Sequence, residues 1–98
     1  MWYKIYAGVF SEEYIKTEKY SDENEAVQDA YNEAINIYES YEGYHGIASR
    51  EDIENEPEEY GLSSNYDEDE LEACYMEHRE NWLLYSVKLA TGPDDIDE

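Results

Sequence analysis

The sequence predicts an α+β fold: a small three-stranded antiparallel sheet packed against two main helices, in the order β-β-α-(short α)-α-β. Three observations carry this. Two neighbouring N-terminal segments alternate apolar and polar residues with the period of a strand. Two longer segments, 22–41 and 67–82, repeat apolar residues at three- and four-residue steps behind helix-capping residues. A last alternating run, Leu83 to Leu89, supplies the third strand.

In residues 2–10 (WYKIYAGVF), Ile5, Ala7 and Val9 alternate with Lys4, Tyr6 and Gly8, and the β-branched and aromatic content suits a strand. Gly8 marks a bulge or a close backbone approach. Ser11-Glu12-Glu13 reads as a short turn into a second strand, 14–20 (YIKTEKY). There Ile15 and Thr17 share one face, and Tyr14, Lys16, Glu18 and Tyr20 the other. The two strands are expected to form a hairpin. Lys16, Glu18 and Lys19 would protect its edge from self-association.

Ser21 is expected to cap a helix over 22–41, with Asp22, Glu23 and Glu25 at its positive end. Val27, Ala30, Tyr31, Ala34, Ile35, Tyr38 and Tyr41 form its apolar stripe, and Glu25, Asp29, Glu33 and Asn36 its far side. Gly43 supplies the stop. Residues 43–66 are irregular, with a short helix capped by Ser49 and ended before Pro57. Long irregular stretches in small domains often carry function. Asp67 and Glu70 form an Asp-x-x-Glu analogue of a capping box for the second main helix. Leu71, Cys74, Tyr75, His78 and Trp82 share its inner face. The chain thus reads as one acidic domain over 1–92 with a loose acidic tail, 93–98.

Composition sharpens the functional question. Of 98 residues, 27 are Asp or Glu and six are Lys or Arg, a net charge of −21. Mean hydropathy is −0.97, a value associated with disorder. The aromatic content of 15%, including 12 Tyr, and the periodic apolar pattern argue for a folded domain. Self-repulsion at that charge costs stability, so the charge itself is expected to have a use. All four lysines, Lys4, Lys16, Lys19 and Lys88, fall on predicted strands, which leaves the helical flank almost purely negative. Cys74 is the only cysteine, consistent with a reducing cytoplasm. No apolar run approaches the ~18 residues of a membrane helix, and no signal-peptide pattern opens the chain. Anionic lipid and nucleic acid would both repel such a surface.

Catalytic and metal motifs do not emerge. An EF-hand loop counted from Asn65 requires glycine where Glu70 stands and glutamate where Met76 stands. Cys74 and His78 share a helix face but make only two ligands, whereas zinc needs three or four. They read instead as a half-buried thiol and an aromatic-packed imidazole; His45 lies elsewhere, in a glycine-flanked loop. No phosphate loop or nucleophilic triad appears. The expectation is a non-enzyme without metal or cofactor.

The acids fall in three groups. Glu25, Asp29 and Glu33 form a row on the first helix; Glu51, Glu54, Glu56, Glu58 and Glu59 form a second group; Asp67, Asp69 and Glu70 lead a third. Helix carboxylates four residues apart are about 5–6 Å apart at their base, the scale on which DNA displays its phosphates. Tyr44, Tyr60 and Tyr66 lie among these acids as candidate anchors that could stack on a partner's cations, or as cover for a small core.

In size, net charge and helix-borne carboxylate rows, the chain resembles the small acidic DNA-mimic proteins of phages and mobile elements. Those proteins inhibit restriction enzymes, CRISPR nucleases, repair glycosylases or nucleoid proteins. The resemblance implies an inhibitor in the bacterial host cytoplasm. Its partner would be a basic nucleic-acid-binding protein such as a defence nuclease, with no direct contact to nucleic acid. Two other readings stand beside it: an adaptor working through tyrosine-rich loops, and an ordinary protein of a salt-rich cytoplasm.

Overall fold

The computed structural model describes residues 1–44 and 46–95. Strands β1 (Trp2–Gly8), β2 (Glu13–Lys19) and β3 (Leu84–Ala90) form an antiparallel sheet in the order β2-β1-β3. Between β2 and β3 come helices α1 (Glu23–Tyr41), α2 (Arg50–Asn55) and α3 (Glu68–Trp82), with a 3-10 turn over Pro57–Tyr60 after α2. This is the predicted α+β order. The chain forms two compact units, Met1–Ile37 with Leu83–Glu98, and Tyr38–Trp82.

In the first unit β1 is the middle strand, so it is paired along both edges and side chains of β2 and β3 flank its residues. Ile5, Ala7 and Val9 are buried as their alternation predicts. Tyr6, expected on the open face, is buried as well, between the Tyr14 ring at 6.0 Å and the Lys88 ammonium at 5.1 Å. On the opposite face Tyr3, Ile5 and Tyr20 pack with Ala26 and Ala30 of α1, flanked by Ile15 and Val87. Alanines on the helix let its backbone approach a sheet face that carries large side chains.

Two local details depart from the sequence reading. The bulge lies in the β1–β2 ladder, where Ile5 opposes Lys16 but Tyr6 opposes Tyr14. One extra residue shifts the inward–outward alternation of β2. Thr17 therefore bonds to the Tyr14 hydroxyl at 2.7 Å, although the two were expected on opposite faces. Gly8 marks a close approach instead, lying against the Ser11 carbonyl. The α1 cap is Asp22 rather than Ser21: the helix starts at Glu23, and the Glu25 amide donates to Asp22 Oδ1 at 2.8 Å. Ser21 bonds to the Glu25 carboxylate. Of the tail, the Asp95 carbonyl accepts from Thr17 Oγ1 at 2.8 Å, and its carboxylate accepts from the Thr91 amide at 3.0 Å. Residues 96–98 of that expected loose tail lie outside the described residues.

The second unit has its own apolar cluster. Ala48, Ile53 and Leu71 are buried, with Tyr60, Leu62, Tyr66, Cys74 and Tyr75 packed around them. Ser49 and Asp52 form a reciprocal capping box on α2, and Asp67 Oδ1 accepts from the Glu70 amide at 2.9 Å to cap α3. Gly43, past the end of α1 with φ of +87°, donates to the Ile47 carbonyl at 2.8 Å. Tyr38 is fully buried, and its hydroxyl donates to the Ala48 carbonyl at 2.6 Å. Tyr38→Phe leaves that buried acceptor unpaired. The expected cost is about 1–3 kcal/mol, read as a lower denaturant midpoint at unchanged slope.

Candidate functional site

The net charge is distributed unevenly between the two units. Tyr38–Trp82 carries 15 carboxylates against Arg50 and Arg79, a net of −13 in 45 residues. Both arginines are already engaged. Arg50 pairs with Glu72 at 2.6 Å, while Arg79 pairs with Glu80 at 3.7 Å and lies over the Tyr75 ring. No lysine occurs in this unit; all four lie on the strands of the other.

The structure separates the three predicted acidic groups. On α1, Lys16 of β2 reaches Asp29 at 3.0 Å and Glu33 at 3.6 Å. The Tyr20 hydroxyl also donates to Asp29. Burial works to raise the Asp29 pKa, but the Tyr20 and Lys16 contacts outweigh it and hold the carboxyl below the usual carboxylate range. Burial likewise opposes the charge of Lys16, yet Asp29, Glu18 and Glu33 raise its pKa. Two of the three acids in this row are thus half-buried and internally compensated, and only Glu25 is exposed. Such a row has little charge left for a partner.

The other two groups differ. Glu51 and Glu54 on α2, Glu58 and Glu59 on the following 3-10 turn, and Glu56 between the two are all exposed. So are Asp67, Glu68, Asp69 and Glu70 at the start of α3. Among the described residues none of these nine carboxylates makes an ion pair. The α3 group also has a local role, because acids in the first turn complement the helix dipole. Glu54 has no such role: it stands near the C-terminal end of α2, where negative charge is unfavourable.

The candidate tyrosines also divide. Tyr44 is 66% exposed beside Gly43. Tyr60 and Tyr66 are half-buried against the Ile53–Leu71 cluster and serve as its cover. Cys74 Sγ donates to the Tyr60 carbonyl at 3.3 Å, and burial raises the thiol pKa. An inert, half-buried thiol follows. His78 Nε2 accepts from the Ala48 amide at 3.3 Å, and its ring meets the Tyr60 edge at 5.4 Å. His45 lies outside the described residues. Among the described residues no group of three or more His, Cys, Asp or Glu is placed to hold a metal ion. Nor, among them, is any helix long and apolar enough to cross a membrane.

His78 predicts a pH effect of definite sign. Burial pushes its pKa below the ordinary 6.5, and the accepted amide bond requires the neutral ring. The unfolded chain therefore takes up the proton first as pH falls through about 6.5, and the stability held by the neutral ring is lost on the acid side. Glu59 and Glu77 line the same cavity as His78. His78→Gln keeps an acceptor but does not titrate. Between pH 7.5 and 5.5, the melting temperature of the wild type relative to this variant is expected to fall.

No protein-family model, curated protein or solved structure matches the chain. A functional reading therefore rests on its charge and geometry.

Proposed function

We propose that the chain is a DNA-mimic inhibitor. The exposed carboxylates of α2, the 3-10 turn and the start of α3 occupy the basic nucleic-acid-binding surface of a bacterial defence nuclease, of CRISPR or restriction type, or of another DNA-binding protein. The supporting observation is that nine exposed, ion-pair-free carboxylates lie in the one unit that has no lysine. An adventitious charge excess would be blunted by local pairing, as it is on α1. Here the repulsion is left in place, and a surface rich in Lys and Arg would relieve it. Such an encounter is fast, steered at long range and sensitive to salt. The proposed site of action is the bacterial cytoplasm, with no enzymatic step.

Affinity capture from a bacterial lysate at ~0.1 M salt, a concentration at which charge attraction still reaches about 10 Å, tests this reading. The expected result is enrichment of one DNA-binding protein that is released by high salt and displaced by duplex DNA. A partner that survives high salt, ignores DNA and is lost on Tyr44→Ala would replace mimicry with an adaptor role through the exposed Tyr44.

A further inference from the structure

The two edges of the sheet are built differently. The β2 edge carries Glu13, Lys16, Glu18 and Lys19 within seven residues, and its ladder to β1 contains the bulge. Charges and bulges are the devices that keep an edge strand from pairing with another chain. The β3 edge has no bulge and a single charge. Its seven residues pair with β1 in unbroken register, and Lys88 is the only charged one. The Lys88 ammonium is drawn over the Tyr6 ring. In a chain of net charge −21, no Asp or Glu occurs from Asn81 to Pro93. Leu84, Tyr85 and Leu89 are exposed on this strand, Leu89 by 65%.

We infer that the free edge of β3 pairs with β3 of a second copy, antiparallel about a two-fold axis at Val87. Charge selects this occupant. A basic strand finds no carboxylate on β3 to meet it and is repelled by Lys88. A strand that carries carboxylates would add charge at this edge to the repulsion that any acidic partner, a second copy included, meets from a body this negative. What fits is a strand with almost no charge and with apolar residues at matching positions, and β3 is such a strand for itself. Two-fold pairing at Val87 sets Tyr85 opposite Leu89 of the second copy on the face that also carries Val87. It sets Ser86 opposite Lys88 and Leu84 opposite Ala90 on the other face. No like charges then stand directly opposite, and two aromatic–aliphatic pairs form, the kind of cross-strand contact that stabilises sheets. The two sheets would join into one of six strands, β2-β1-β3-β3-β1-β2. This inference stands whether or not the chain mimics DNA.

The salt dependence of this association is opposite to that of charge-driven capture. The remaining acids of the two copies repel, so added salt strengthens the dimer. Sedimentation equilibrium of the full chain between 0.05 and 1 M NaCl is the test. The expected result is a shift from 11.6 kDa toward twice that mass, more complete at high salt. Leu89→Glu places a carboxylate in the pairing and is expected to weaken the dimer at least tenfold. Lys19→Gln changes net charge by the same amount on the β2 edge and is expected to weaken it less than twofold. Should Leu89→Glu fail to fold, Leu89→Thr keeps the strand preference while losing the contact, and is expected to weaken the dimer several-fold. A monomer at every salt concentration overturns the proposal. So does a dimer that loosens with salt, or one that the two charge variants weaken equally.

Discussion

Gly8→Ala is expected to lower the melting temperature by at least 10 °C. A β-carbon at Gly8 would lie 1.8 Å from the Ser11 carbonyl oxygen and 2.9 Å from its carbon. Both are backbone atoms of the β1–β2 connection, so no side-chain rotation relieves the clash. The turn has to open, and β1 is the strand on which both β2 and β3 pair. Overpacking in a well-ordered site costs about 1–3 kcal/mol, and a clash with main chain belongs at or above the top of that range. For a domain of this size each kcal/mol corresponds to about 4–8 °C. Thermal melts followed by circular dichroism suffice to check it. A loss below about 4 °C would mean that the connection between β1 and β2 adapts freely, and that Gly8 is dispensable there.

The sequence's local patterns translated well into elements, because each carries its own signal. The alternation of β3, the Ser49 and Asp67 caps and the stripe on α1 all depend on residues a few positions apart. What was hidden depends on register. Tyr6 is buried because β1 is central, a fact of strand order that alternation within one strand does not contain. The bulge that brings Tyr14 and Thr17 together is visible only in the ladder. The same limit governed the candidate site. Glu25, Asp29 and Glu33 read as a solvated row because α1 alone shows its spacing and not the lysine across from it. Tyr60 and Tyr66 looked equally suited to binding and to covering a core, and their packing on Ile53 and Leu71 decides for cover. By contrast, the exposure of Glu51, Glu54, Glu56, Glu58 and Glu59 was legible, since a short polar helix bounded by Pro57 has a single buried residue, Ile53.

Two sets of acids of the same chemistry are expected to differ in what their loss does. Glu54→Gln, Glu58→Gln and Glu59→Gln together remove three exposed carboxylates that make no ion pair. If they face a basic partner, each forfeits an attraction of roughly 0.5–1 kcal/mol, so the triple variant is expected to bind about 10–100-fold more weakly at low salt. The slope of affinity against salt should flatten with it. Stability should hold or rise, since net repulsion falls and Glu54 no longer opposes the α2 dipole. Asp29→Asn and Glu33→Gln remove charge from the compensated row instead. Binding should then change less than twofold, while stability falls by about 1–2 kcal/mol as Tyr20 and Lys16 lose a charged hydrogen-bond partner. Asp67→Asn, Asp69→Asn and Glu70→Gln fall between these sets, losing both binding and some support for α3. Titration calorimetry of the captured partner, paired with thermal melts of each variant, separates the two effects. Equal weakening by the first two sets would show that the partner senses only total charge, as a nonspecific counter-ion does. Weakening by the first set alone would locate recognition on the Tyr38–Trp82 unit. The α1 carboxylates would then be assigned to holding β2 against the helix.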